Sequence, residues 1–236
     1  MISLGDLGGL ITLGALLNLD KQVFGQFMIS RPLVTGLIMG FAIGEVKFGI
    51  WMGLSTELLW MATLPLGGQI TPNAGLAASA ALIAWKISDF SLSMGPTNSP
   101  IQTTLVISFL TVPFWAKYMS FIDQLTRRMV LLPLARVKVD LAADRDPCFF
   151  RRNFYGLLVS LLFSLLALAV VVYVNVNLLR LVVQLAPHII LLNLGFLFTL
   201  IPFIGLIGMA VFLETKIFSF YLGGLLASLM ALSAVL

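Results

Sequence analysis

The chain has 236 residues, of which 60% are hydrophobic and only 10% charged, with a mean hydropathy of +1.06. That leaves too little polar surface to cover a water-soluble globule, and the apolar stretches lack the alternation of an outer-membrane barrel, so an all-α, polytopic transmembrane protein is expected. The net charge of +4 does not point to nucleic acid: Lys117, Arg127, Arg128, Arg136, Lys138, Arg145, Arg151 and Arg152, eight of the fourteen basic residues, fall between two apolar blocks and lack an aromatic-interleaved surface.

In chain order, residues 1–18 carry Asp6, no basic leader and no small-residue cleavage site, so this first apolar segment is expected to stay in place. Asp20-Lys21 closes it, with side chains suited to lipid headgroups. Arg31-Pro32 puts a guanidinium just before a helix start, where it either snorkels or partners a buried acid. The apolar runs 32–44 and 74–85 are each only about a dozen residues, short for an ordinary crossing, and predict broken or re-entrant helices in the N-terminal half. Irregular backbone at membrane depth is tolerated only where protein buries it or where it lines a wet cavity. Gly36, Gly40 and Gly44 recur every fourth residue, so all three are expected on one packing face. Residues 48–66 form a longer central helix with Glu57 near its middle. A carboxylate facing lipid there would cost roughly 3 kcal/mol, so Glu57 must face protein or water, as an interhelical bond or as part of a site.

Residues 64–73, Leu-Pro-Leu-Gly-Gly-Gln-Ile-Thr-Pro-Asn, read as a helix break. Prolines remove backbone donors, Gly67-Gly68 permits a sharp turn, and freed carbonyls, the Gln69 and Asn73 amides and a new helix start after Pro72 converge. Such neutral donors and acceptors beside a carboxylate suit a hydroxylated ligand such as a sugar; an ordinary capped loop is the alternative. Residues 88–100 read as a polar turn.

The domain division is then an N-terminal membrane block, 1–116, with the candidate site; a basic cytoplasmic connection, 117–152, by the positive-inside rule; and a C-terminal membrane block, 153–236. In the last block residues 154–175, 189–212 and 217–236 are predicted to span, with Pro202 as a kink. Cys148 is the lone cysteine, so no intrachain disulfide or cysteine-rich metal site is possible, and His188 is the lone histidine. No catalytic residue, cofactor or metal ligand is assigned.

Residues 27–33 (Phe-Met-Ile-Ser-Arg-Pro-Leu), Gly44-Glu45, Thr56-Glu57-Leu58 and the stretch from Gly67 to Pro72-Asn73-Ala74 occur in an order that resembles the IIC permease of mannose/fructose/sorbose-type sugar phosphotransferase systems. The likeness is strongest over residues 19–81, and Phe220-Tyr221-Leu222-Gly223 adds to it. The resemblance implies a subunit that assembles with a IID membrane partner into a trimeric complex in the bacterial cytoplasmic (inner) membrane and moves a sugar inward by an elevator-like shift, while cytoplasmic IIA and IIB proteins supply the phosphate. It also implies Glu57, Gln69 and Asn73 as the sugar-facing set, with Arg31 and Thr56 in support. Residues 194–212 depart from the family pattern: bulky Phe196, Phe198, Ile201 and Phe203 stand where relatives have a glycine-rich helix. Pro65, Gln69 and Thr71 depart as well.

Three functions are open at this point. A hexose permease coupled to phosphorylation uses Glu57 and the helix break; a non-transporting structural subunit uses the glycine face; an ion- or proton-coupled carrier titrates Glu57. The chain has no histidine-centred phosphorylation site and no P-loop spacing, so phosphoryl transfer itself is expected from partners.

Overall fold

A computed structural model of the chain describes residues 4–21, 25–60, 71–92, 100–144, 146, 148–186, 191, 194–203 and 206. Among these the secondary structure is all helical: α1 (Leu4–Leu19), α2 (Pro32–Ala42), α3 (Val46–Trp60), α4 (Ala74–Leu92), α5 (Pro100–Ala142) and α6 (Phe149–Leu185), followed by the helical segment Leu194–Phe203. The expected spans beyond residue 206, Gln69, His188 and the glycines of the helix break lie outside the described residues.

Helix α4 is the centre of the molecule and packs on α1, α2, α3, α5 and α6. Its composition explains this. Ala77, Ala78, Ala80, Ala81 and Ala84 are completely buried, and side chains this short let neighbours close in on every side, while Leu82, Ile83 and Trp85 fill the remaining space. The helix starts at Ala74 as expected but runs past 85 to Leu92, through part of the predicted polar turn.

Helices α2 and α3 form a tight antiparallel hairpin. Pro32 occupies the first turn of α2, where its missing N–H costs nothing, and Arg31 before it is extended at φ −65°, ψ 140°. The helix stops because Gly44 adopts φ +73°: its N–H bonds the Phe41 carbonyl at 3.1 Å and the Glu45 N–H bonds the Gly40 carbonyl at 2.8 Å, the two bonds of a Schellman cap. This corrects the expectation for Gly44. It lies beyond the helix with nothing within 4 Å of a built Cβ, and it reverses the chain instead of packing. The packing face is Gly36 and Gly40 against Gly49 and Gly53 of α3. A Cβ on Gly36 would stand 2.6 Å from the Gly49 carbonyl oxygen, and one on Gly53 the same distance from that of Pro32.

The long helices α5 and α6 each contain a stretch long and apolar enough to cross a bilayer, Ile101–Leu131 and Phe150–Leu185. At 43 residues α5 is about 64 Å long, roughly twice a hydrocarbon core of about 30 Å. It continues without interruption across the 116/117 boundary through Pro113 and Pro133, so the basic segment is helical over most of its length. Arg152 at the start of α6 ties it back to α5, donating to the Pro133 carbonyl at 3.0 Å and pairing with Asp140. Along its length α6 leaves Phe154, Leu158, Leu162, Leu166, Val170, Leu181 and Leu185 exposed, as a helix against lipid does. The bulky residues after 194 also find partners: the Phe198 ring stacks on Trp51 at 4.6 Å and 12°, and its carbonyl accepts from the Trp51 indole at 2.8 Å.

Candidate functional site

At one end of the α2–α3 hairpin a cavity of about 210 Å³ opens between the end of α1, the turn before α2, the last turn of α3 and the start of α4. Lys21, Ser30, Arg31, Glu57, Trp60 and Thr71 supply its main side-chain groups, and Pro32 and Ala74 bring two helix N-termini to its wall. Helix N-termini carry partial positive charge and N–H groups that need acceptors outside the helix.

The Asn73 side chain answers the start of α4, and Glu57 is the acceptor that answers the start of α2. Its Oε1 receives the Arg31 Nη1 at 2.9 Å and its Oε2 receives the Leu33 N–H, in the first turn of α2, at 3.4 Å. The Glu57 side chain is 14% exposed and that of Arg31 55%. A carboxylate in an apolar helix is thereby neutralised by one guanidinium and one helix N-terminus, and the reading of Arg31 as partner of a buried acid describes this geometry. The pair is not saturated: a carboxylate offers about four acceptor positions and a guanidinium five N–H donors, and the contacts described use two of the former and one of the latter.

Asn73 lines the same cavity but spends its side chain on the protein. It is 2% exposed; its Nδ2 donates to Asn18 Oδ1 and to Asp123 Oδ2, both at 2.9 Å, and its Oδ1 accepts the Leu76 N–H at 3.3 Å. Both amide hydrogens are used, and the oxygen acts as the N-cap of α4. The bracket extends through Lys21 Nζ to Asp123 at 2.9 Å and through Asn18 Nδ2 to Ser164 Oγ at 2.8 Å, joining α1, α4, α5 and α6 behind the cavity. Lys21 is therefore held by Asp123 and does not reach for headgroups. Asn73→Ala removes a cap and a partner of a buried carboxylate, and is expected to lower stability by about 2 kcal/mol, read as a lower thermal midpoint of the detergent-solubilised protein. An unchanged midpoint would contradict the bracket.

Of the other expected site residues, Thr56 is fully buried, its hydroxyl makes no hydrogen bond, and it stands outside the cavity lining. Gln69 lies outside the described residues. Asn18, Asp123 and Ser164 were not foreseen: Asn18 and Ser164 are uncharged side chains within apolar stretches of α1 and α6, and Asp123 falls among the basic residues of α5, where a carboxylate carries no such signal. Among the described residues no group of three or more His, Cys, Asp or Glu side chains is placed to hold a metal ion.

The sequence matches the family described as the PTS system sorbose-specific IIC component over residues 8–236. The chain belongs to that family. Among individual relatives of this sorbose-type IIC chain, the mannose-specific EIIC component of Escherichia coli (strain K12) is 25% identical over 99 residues, covering 39% of this chain and 37% of the relative. The sorbose-specific EIIC component of Klebsiella pneumoniae is 26% identical over 74 residues, 31% of this chain and 28% of the relative. That of Lacticaseibacillus casei is 32% identical over 62 residues, 26% and 22%. The matched stretches thus span little more than a third of these relatives at most. The family is a membrane component of a sugar phosphotransferase system, in keeping with the two bilayer-length apolar helices.

Proposed function

We propose that this IIC chain is the permease subunit that binds a hexose-type sugar in the Glu57 cavity and passes it across the bacterial cytoplasmic membrane, through which it threads several times. The carrying observation is the unsaturated Arg31–Glu57 pair at two converging helix N-termini. Acceptors and donors side by side, with little net charge, match the hydroxyls of a neutral sugar, each of which is donor and acceptor at once. Trp60, one turn after Glu57 on α3, adds an apolar indole wall for the C–H face of a ring.

On this reading Glu57 and Arg31 contact the sugar, and Asn73 and Thr56 act on the site from behind it. A IID subunit completes the transporter, in a trimeric assembly, and cytoplasmic IIA and IIB proteins carry out phosphoryl transfer. Proton coupling through Glu57 is the weaker reading, since its carboxylate already has a cation and a helix start for partners.

Uptake of labelled mannose and sorbose, the sugars in the relatives' names, tests the proposal in vesicles holding the chain with a IID subunit. Uptake that requires both IIA and IIB is expected. Uptake driven by a proton gradient alone would transfer the chain to the carrier class, and partner binding with no uptake would leave a structural subunit.

A further inference from the structure

Asp20 is a buried carboxylate that sugar binding as proposed leaves unused. It is 4% exposed and accepts three backbone N–H bonds from the turn before α2: Phe27 to Oδ1 at 2.7 Å, Ile29 to Oδ2 at 2.8 Å and Ser30 to Oδ2 at 3.3 Å. The turn is not one the chain adopts unaided. Gln26 and Met28, neither of them glycine, have φ of +54° and +66°, and such residues persist where the surroundings over-determine them.

From the other side the turn is clamped by α4. A Cβ on Gly75 would stand 2.1 Å from the Ser30 carbonyl oxygen, so the strap lies against bare helix backbone. What it delivers is the cavity rim: Ser30 and Arg31 both line the cavity, and the Arg31 N–H closes the turn on the Met28 carbonyl at 3.2 Å.

We infer that Asp20 is a positioning residue for the cavity: by gathering the N–H groups of Phe27, Ile29 and Ser30 against α4 it sets where Ser30 and the Arg31 guanidinium stand. The effect on ligand rests on the proposed function; the placement of the strap does not.

Two measurements on the full chain in membranes test this. In a Cys148→Ser background, Ser30→Cys is labelled with a water-soluble maleimide, with Asp20 intact or changed to Asn or Glu. Charge-assisted hydrogen bonds are about twice as strong as neutral ones, so Asp20→Asn is expected to raise the labelling rate about fivefold, and Asp20→Glu, which keeps the charge, to raise it less. Equal rates at equal protein levels overturn the inference.

The second is a cycle of labelled mannose and sorbose binding to the complex with Asp20→Asn, Arg31→Ala and both. Asp20→Asn alone is expected to weaken binding about tenfold, and to add nothing once Arg31 is gone, because coupled residues are non-additive. Additive losses overturn the inference, since a merely structural Asp20 would weaken either background alike. If the wild-type complex binds neither sugar, the proposed function fails while the labelling rates still decide the role of Asp20.

Discussion

Glu57→Gln is expected to reduce sugar uptake about a hundredfold while leaving insertion and protein level unchanged. The glutamine is the same size, and removing a charge lowers the cost of placing α3 in the bilayer. At the site the change is severe. Arg31 Nη1 and the Leu33 N–H both donate to the carboxylate, and an amide presents one oxygen and two further donors to them. One of the donors loses its acceptor, the guanidinium loses its counter-charge, and a sugar hydroxyl loses the charged acceptor. A hydrogen bond to a charged group contributes about 1.5–3 kcal/mol, and the upper value corresponds to roughly a hundredfold. Because Arg31 is more than half exposed, little of the effect should appear as global instability. Initial uptake rates normalised to membrane-resident protein check this, and wild-type rates in the variant would remove Glu57 from the site.

Gly49→Leu is the second large effect, and it acts on the fold. A Cβ at 49 would lie 2.4 Å from the Gly36 carbonyl oxygen and 2.5 Å from the Gly40 Cα. Both obstacles are backbone, so no rotamer change relieves the clash and the α2–α3 hairpin must spread. Overpacking of this kind costs about 3 kcal/mol, which for a chain of this size lowers the thermal midpoint by roughly 6–12 °C. Sugar binding should fall with it, since Pro32 and Glu57 meet at the open end of the same hairpin. Gly8→Ala in α1 is the control: nothing lies within 4 Å of the added methyl, and alanine exceeds glycine in helix propensity by about 1 kcal/mol, so the midpoint should hold or rise. Midpoints measured by thermal unfolding in detergent separate the cases, and an unaltered Gly49→Leu protein would contradict the close packing of α2 on α3.

Much of this architecture could be read along the chain because its signals are local. Hydropathy alone excludes a soluble globule, Arg31-Pro32 marks the start of α2, Pro72-Asn73 marks the start of α4, and a glutamate amid apolar residues has to turn inward. The cavity follows from these, with Arg31 and Glu57 on it. What was not legible depends on residues far apart in sequence. Asn18 meets Ser164 across 146 positions and Lys21 meets Asp123 across 102, and no periodicity announces such pairs. Asn73 looked like a ligand group from its neighbours; only the arrival of Asn18 and Asp123 shows that its amide is already engaged. Gly44 continued a four-residue glycine rhythm, yet the rhythm ends where the chain takes a positive φ. The 116/117 division fell at a change of composition, yet it lies inside α5, whose neighbours α4 and α6 hold it together.

The most direct measurement is equilibrium binding of labelled mannose and sorbose to the purified membrane complex, wild type beside Glu57→Gln, in the absence of any phosphoryl donor. Saturable binding by the wild type, lost in the variant at equal protein and equal thermal midpoint, is the result expected of a sugar site built on Arg31 and Glu57. Binding of equal affinity in both proteins would contradict it and move the sugar elsewhere in the complex.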